Sequence, residues 1–151
     1  MYINFWYPVI LSEELKDEPV RVRMLGQNFV TFRDSKGAPK TLSDTCIHRG
    51  GSLSGGVIRD DCIQCPYHGW RFDGEGECKR IPSLGKDAKI PKRTRIDAYP
   101  TEEKYGIVFA FLGDLEKSKR PPIMPIAELD DEENWRANWL NYEAKINFER
   151  S

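Results

Sequence analysis

Two short runs carry the residues able to bind metal. Cys46-Ile47-His48 and Cys65-Pro66-Tyr67-His68 each hold a thiol and an imidazole, and together they read C-x-H-x16-C-x-x-H. Four such ligands suit a tetrahedral zinc ion. They also suit a two-iron, two-sulfide cluster with both thiolates on one iron and both imidazoles on the other. The chain has four Cys and two His. Clustered this way, without a secretory signal, they point to metal rather than to a disulfide framework.

The neighbours favour the cluster. Gly50 and Gly51 follow the first pair and Gly69 the second, so backbone N–H groups can approach negatively charged sulfides. Pro66 stiffens the second run. A zinc site can be drawn with Cys62, which forms C-x-x-C with Cys65, but it leaves Arg49-Gly50-Gly51 and Gly69-Trp70 without a purpose. Cys62 and Cys78 read as small buried thiols, since free cysteine packs as a hydrophobe. A bond between them is the weaker option in a reducing compartment.

Ligand loops need strands to hold them. Twelve Gly and ten Pro in 151 residues fit many turns and short strands rather than a helical bundle. Apolar residues alternate or cluster in strand fashion over 6–10, 20–25, 29–33 and 40–43, with a helical turn expected over 12–18. Asp34-Ser35-Lys36-Gly37 and Asp73-Gly74-Glu75-Gly76 are hairpin turns, and 94–99 and 106–112 flank a third turn at 100–105. The pattern predicts an all-β, antiparallel domain to about residue 113. The charges and prolines of 114–134 read as a linker. Trp135, Trp139, Tyr142, Ile146 and Phe148 then read as the opening of another domain.

Charge narrows the partners. Lys plus Arg number 23 against 24 acids, a net charge of −1, which gives no footing for nucleic acid or a polybasic membrane contact. No stretch approaches the roughly 18 apolar residues of a membrane span. Residues 1–11 lack a basic region and contain Pro8, unlike a signal peptide, so a cytoplasmic location is expected. Lys79, Arg80, Lys86, Lys89, Lys92, Arg93 and Arg95 form a basic run broken only by Asp87. It could attract an acidic redox partner, or form a solvated surface that balances the acids of 128–133.

The segments CIHRGGSLSGG, CPYHGWRFDGEGECKRIPS and YGIVFAFLGD closely resemble the Rieske domain of bacterial ring-hydroxylating oxygenase α subunits. WYPV, GQNFVTFR and KIPKRTRIDAYP extend the likeness over most of residues 5–125. The resemblance implies a Rieske-type antiparallel fold with a [2Fe–2S] cluster between two loops. Cys46 and Cys65 would hold the buried iron, and His48 and His68 the outer iron that takes the electron. Arg49, Gly50, Tyr67, Gly69 and Trp70 would support the loops around them, with Tyr67 and Trp70 keeping water away. Residues 1–125 would form this domain with an N-terminal extension, and 126–151 the linker and the beginning of an α+β catalytic domain.

Respiratory Rieske proteins carry an extra cysteine in each ligand loop, joined as a disulfide, where this chain has Gly51 and Tyr67. They also carry Ser and Tyr hydroxyls that donate to cluster sulfurs, where this chain has Trp70 and Phe72. Missing donors leave the reduced cluster less stabilised, so the potential is expected nearer roughly −150 mV than +300 mV.

In the family, an NAD(P)H-dependent reductase or ferredoxin supplies electrons. The cluster passes them to a mononuclear Fe(II), usually in a neighbouring α subunit of a trimer, for O2-dependent hydroxylation or demethylation of an organic substrate. That iron takes two His and a carboxylate. Both histidines here go to the cluster, so no catalytic residue is expected in this chain and the Fe(II) site is expected in the uncompleted catalytic domain. The short N-terminus and GQNFVTFR lean toward the homotrimeric, monooxygenase branch. The competing readings are a stand-alone Rieske ferredoxin and a zinc-binding structural module.

Overall fold

Strands form where β-branched and aromatic residues run between turns bearing glycine or aspartate. A computed structural model describes residues 3–85, 88–131, 133–138, 140 and 142. The strands among them are β1 (Phe5–Leu11), β2 (Val20–Met24), β3 (Gln27–Arg33), β4 (Pro39–Ser43), β5 (Val57–Arg59), β6 (Cys62–Gln64), β7 (Arg71–Phe72), β8 (Cys78–Arg80), β9 (Ala98–Tyr99), β10 (Thr101–Lys104) and β11 (Ile107–Leu112). They make three antiparallel sheets, in the orders β1-β11-β10, β2-β3-β4-β9 and β5-β6-β7-β8. The fold is the antiparallel, all-β architecture expected.

Strand β3 divides two apolar regions. Val30 and Phe32 enter a core with Leu42, Leu53, Ile63 and Phe72, and that core also contains Cys46 and Cys65. Phe29 instead meets Tyr99 edge-on at 5.0 Å. Between its apolar neighbours, Thr31 is buried and its hydroxyl pairs with that of Thr41 across the β3–β4 ladder at 3.2 Å. A second core joins Val9, Leu15, Val108 and Ala110.

Three two-residue turns have positive φ at both positions: Leu25-Gly26, Asp60-Asp61 and Tyr105-Gly106. This is the mirror-image turn whose twist matches a hairpin. Asp60-Asp61 does so without glycine. Three local expectations change. The stretch 100–105 contains strand β10 rather than only a turn. Strand β9 is two residues long and pairs with β4, not with β11. Over 12–18 the chain makes a turn closed by Glu14 N–H to the Leu11 carbonyl at 3.0 Å, with no helix.

The chain divides into two compact units, 1–121 and 122–151. In the second, helix α1 (Ala127–Asp130) is followed by Asp131, whose carboxylate accepts from the Asn134 side chain at 3.0 Å. Trp135 and Tyr142 are exposed, whereas Trp139, Ile146 and Phe148 lie outside the described residues. No described helix is long and apolar enough to cross a membrane.

Candidate metal centre

The two ligand runs form loops closed in the same way. In the first, Cys46 N–H donates to the Gly51 carbonyl at 2.9 Å and Gly50 N–H returns to the Cys46 carbonyl at 2.9 Å. In the second, Cys65 N–H donates to the Trp70 carbonyl at 2.8 Å and Gly69 N–H returns to the Cys65 carbonyl at 3.0 Å. The return bonds need a left-handed residue four places after each cysteine, supplied by Gly50 at φ 69° and Gly69 at φ 70°. Strand β4 leads into the first loop, and β6 and β7 bracket the second.

Within this shared frame the histidines sit at different offsets, and they meet. The His48 and His68 rings lie 4.5 Å apart at 67°. Cys46 and Cys65 are both buried, with their thiols in hydrogen-bonding contact. The four side chains thus sort into a sulfur pair inside and an imidazole pair outside. Among the described residues no three Cys, His, Asp or Glu side chains gather to hold a single ion. Two irons bridged by sulfide ask instead for two protein ligands each.

Burial pushes the Cys46 thiol up to about 11. The N–H groups of His48 and Arg49 hydrogen-bond to its sulfur and oppose that rise, while Cys65 adds to it. Those N–H groups would stabilise a thiolate once a metal displaces the proton. His48 is held below the usual imidazole range by burial and by the neighbouring His68 and Arg49. It is therefore neutral near pH 7, the form that binds metal. Its Nδ1 is buried with no hydrogen-bond partner. An orphaned polar atom of this kind is unfavourable, and a metal bond would satisfy it. The residues fit a cluster.

The supporting residues surround this centre. Trp70 lies flat on His48, with ring centres 4.5 Å apart and planes 5° from parallel. Tyr67 is 62% exposed and tilts against His68 at 3.8 Å. A side-chain carbon at Gly51 would stand 3.1 Å from the Cys65 sulfur and 3.4 Å from Cβ of Tyr67, so this glycine leaves the thiol room. At Gly69 the same carbon would meet Pro82 at 3.1 Å. The Arg49 side chain is exposed, and its backbone N–H faces Cys46. Cys62 and Cys78 are free, buried thiols, each raised by burial.

Sequence reasoning missed the polar groups at the base of each loop. Buried Asp44 binds Ser52, Ser54 and Arg21 beneath the first. Under the second, Arg71 donates to Gln64 at 2.9 Å and to Asp60 at 2.7 Å. The available signal was position alone: Asp44 precedes Cys46 by two residues, and Gln64 and Arg71 flank the second loop.

The sequence matches the Rieske [2Fe-2S] domain family over residues 5–100. The chain belongs to that family. This Rieske domain is 41% identical to the phenoxybenzoate dioxygenase subunit alpha of Ectopseudomonas oleovorans, over 81% of this chain and 29% of the relative. It is 32% identical to the 3-chlorobenzoate-3,4-dioxygenase oxygenase subunit of Comamonas testosteroni, over 95% of this chain and 35% of that one. A crystal structure of dicamba monooxygenase with non-heme iron and dicamba superposes with a TM-score of 0.70 at 30% identity. That match covers 79% of this chain and 37% of the other. The chain spans about a third of the length of these relatives.

Proposed function

We propose that this chain is the electron-transfer portion of a Rieske oxygenase α subunit. The observation that carries the reading is the sorting of four ligands into a buried thiol pair and an outer imidazole pair. Cys46 and Cys65 would bind one iron as thiolates. His48, through the orphaned Nδ1, and His68 would bind the other as neutral imidazoles. When bound, such a cluster supplies a one-electron couple.

The chain's own residues set how that couple is reached. The N–H groups of His48 and Arg49 stabilise negative charge on the Cys46 sulfur. Trp70 covers one face of His48 and excludes water there. His68 is the exposed imidazole, and only the tilted Tyr67 ring among the described aromatics lies beside it apart from His48. A partner can touch His68 without displacing Trp70, which makes His68 the exit for the electron. Gly50 and Gly69 hold the two loop closures, and Arg49 keeps positive charge beside the centre.

On this reading residues 1–125 are the cluster domain and 126–151 the beginning of a catalytic domain. The names of the relatives and the one-third share of their length support placing a mononuclear Fe(II), O2 and an organic substrate in the remainder. An NAD(P)H-dependent reductase or ferredoxin would supply electrons, and neighbouring α subunits, in a homotrimer, would receive them. The free thiols of Cys62 and Cys78, which the cluster does not use, favour a reducing compartment, the cytoplasm. A spectroelectrochemical titration tests the reading. A one-electron wave near roughly −150 mV is expected, whereas a wave near +300 mV would place the chain with quinol-oxidising proteins instead.

A further inference from the structure

Among the described residues Asp44 is the one buried charged group, with a side chain 1% exposed. Its carboxylate accepts from Ser54 N–H at 2.6 Å, Ser54 Oγ at 2.9 Å, Ser52 Oγ at 2.8 Å and Arg21 Nε at 2.9 Å. Three of these donors converge on Oδ2 and one reaches Oδ1, so both oxygens have partners, and a buried charge is tolerated only when it is so surrounded.

The arrangement has a direction. Asp44 stands at the entry of the first ligand loop, and Ser52 and Ser54 stand at its exit. The carboxylate therefore ties the two ends of the segment that carries Cys46 and His48. Arg21 arrives from β2, donates to both serines as well, and supplies the opposite charge. The second loop is closed at the surface instead, since Arg71 binds Gln64 and an Asp60 side chain that is 87% exposed.

We infer that Asp44, held by Arg21, is the positioning residue for Cys46 and His48. It fixes the first loop in its liganding shape before any iron arrives. The inference rests on the cluster reading above. Loosening this tie frees one thiol and one imidazole while the second loop keeps Cys65 and His68 in place. The second loop answers to Arg71 in the same way.

The test uses cluster-loaded protein carrying Arg21→Gln, Asp44→Asn or Arg71→Gln. Asp44→Asn keeps the shape but turns an N–H2 group toward donors. Arg21 is half exposed, so Arg21→Gln keeps the protein folded if Asp44→Asn does not. Iron release to a chelator should be at least fivefold faster in Arg21→Gln, and Arg21→Lys should recover part of the difference. With 15N-histidine, pulsed EPR should show one of the two nitrogen couplings altered by Arg21→Gln and the other by Arg71→Gln. Unchanged release together with two unchanged couplings in Arg21→Gln overturns the inference. A wild-type protein that holds no cluster overturns the functional reading first.

Discussion

The Trp70 indole and the His48 imidazole are stacked almost in parallel, 4.5 Å between ring centres. An indole in that position removes one face of the imidazole from water and oxygen. Replacing Trp70 by Ala should therefore speed reoxidation of the reduced cluster by dissolved O2 several-fold in stopped-flow absorbance. Trp70→Phe, which keeps a flat ring, should stay near the wild-type rate. Equal rates in all three proteins would show that the stack shields nothing.

The two loop glycines share a left-handed backbone but not their surroundings. Alanine at φ near 70° costs about 1 kcal/mol at either position. Nothing lies within 4 Å of a side-chain carbon built at Gly50, whereas Pro82 lies 3.1 Å from one at Gly69. Urea denaturation should find Gly69→Ala less stable than Gly50→Ala. The reverse order would contradict the packing described.

Phe72 is fully buried in the core that contains Cys46 and Cys65. The resemblance to Rieske domains implies that it stands where respiratory members carry a tyrosine that donates to the cluster. A hydrogen bond to a charged group contributes about 1.5–3 kcal/mol. Made mainly to the reduced state, it corresponds to about 60 mV or more for one electron. Phe72→Tyr should raise the midpoint potential by that amount in a redox titration. No rise would mean that the hydroxyl does not reach a sulfur.

Away from the centre, Arg33 reaches Glu103 through two bonds of 2.7 and 3.2 Å, joining β3 to β10. The Arg33 hydrogen bond holds the Glu103 carboxyl below its usual range. With the folded pKa depressed, the unfolded chain binds more protons. The contribution is therefore complete above the unfolded value of about 4.3 and is lost as pH falls through the folded one. Glu103 is 36% exposed on its side chain, so solvent screening limits the pair to at most about 1 kcal/mol. Glu103→Gln should lower the melting temperature at pH 7 and flatten its decline between pH 5 and 3. Parallel pH curves for the two proteins would rule this out.

The parts of the centre that were legible in the sequence are those fixed by local chemistry. Cysteine and histidine types declare metal binding; the glycines beside them read as giving N–H groups access to sulfides, whereas Gly50 and Gly69 N–H close the loops on the cysteine carbonyls. The turns at Asp34 and Asp73 were equally readable, because each carboxylate accepts N–H groups two and four residues on. Strand β10 was hidden because Thr101–Lys104 has no apolar alternation; its partner β11 supplies the buried side. The β5–β6 turn lacks the glycine that advertises such turns. Asp44 was invisible for another reason. An isolated aspartate reads as surface, and Arg21, Ser52 and Ser54 become its neighbours only when β2 and the loop exit come together.

Iron and sulfide assays combined with EPR of the dithionite-reduced protein test the central claim most directly. The account predicts two irons and two sulfides per chain and a reduced signal of low average g, as mixed imidazole and thiolate ligation gives. Cys46→Ser, His48→Ala, Cys65→Ser and His68→Ala should each abolish that signal, while Cys62→Ser and Cys78→Ser should retain it. A colourless protein containing one zinc and no sulfide would contradict the account, leaving Cys46, His48, Cys65 and His68 as structural ligands.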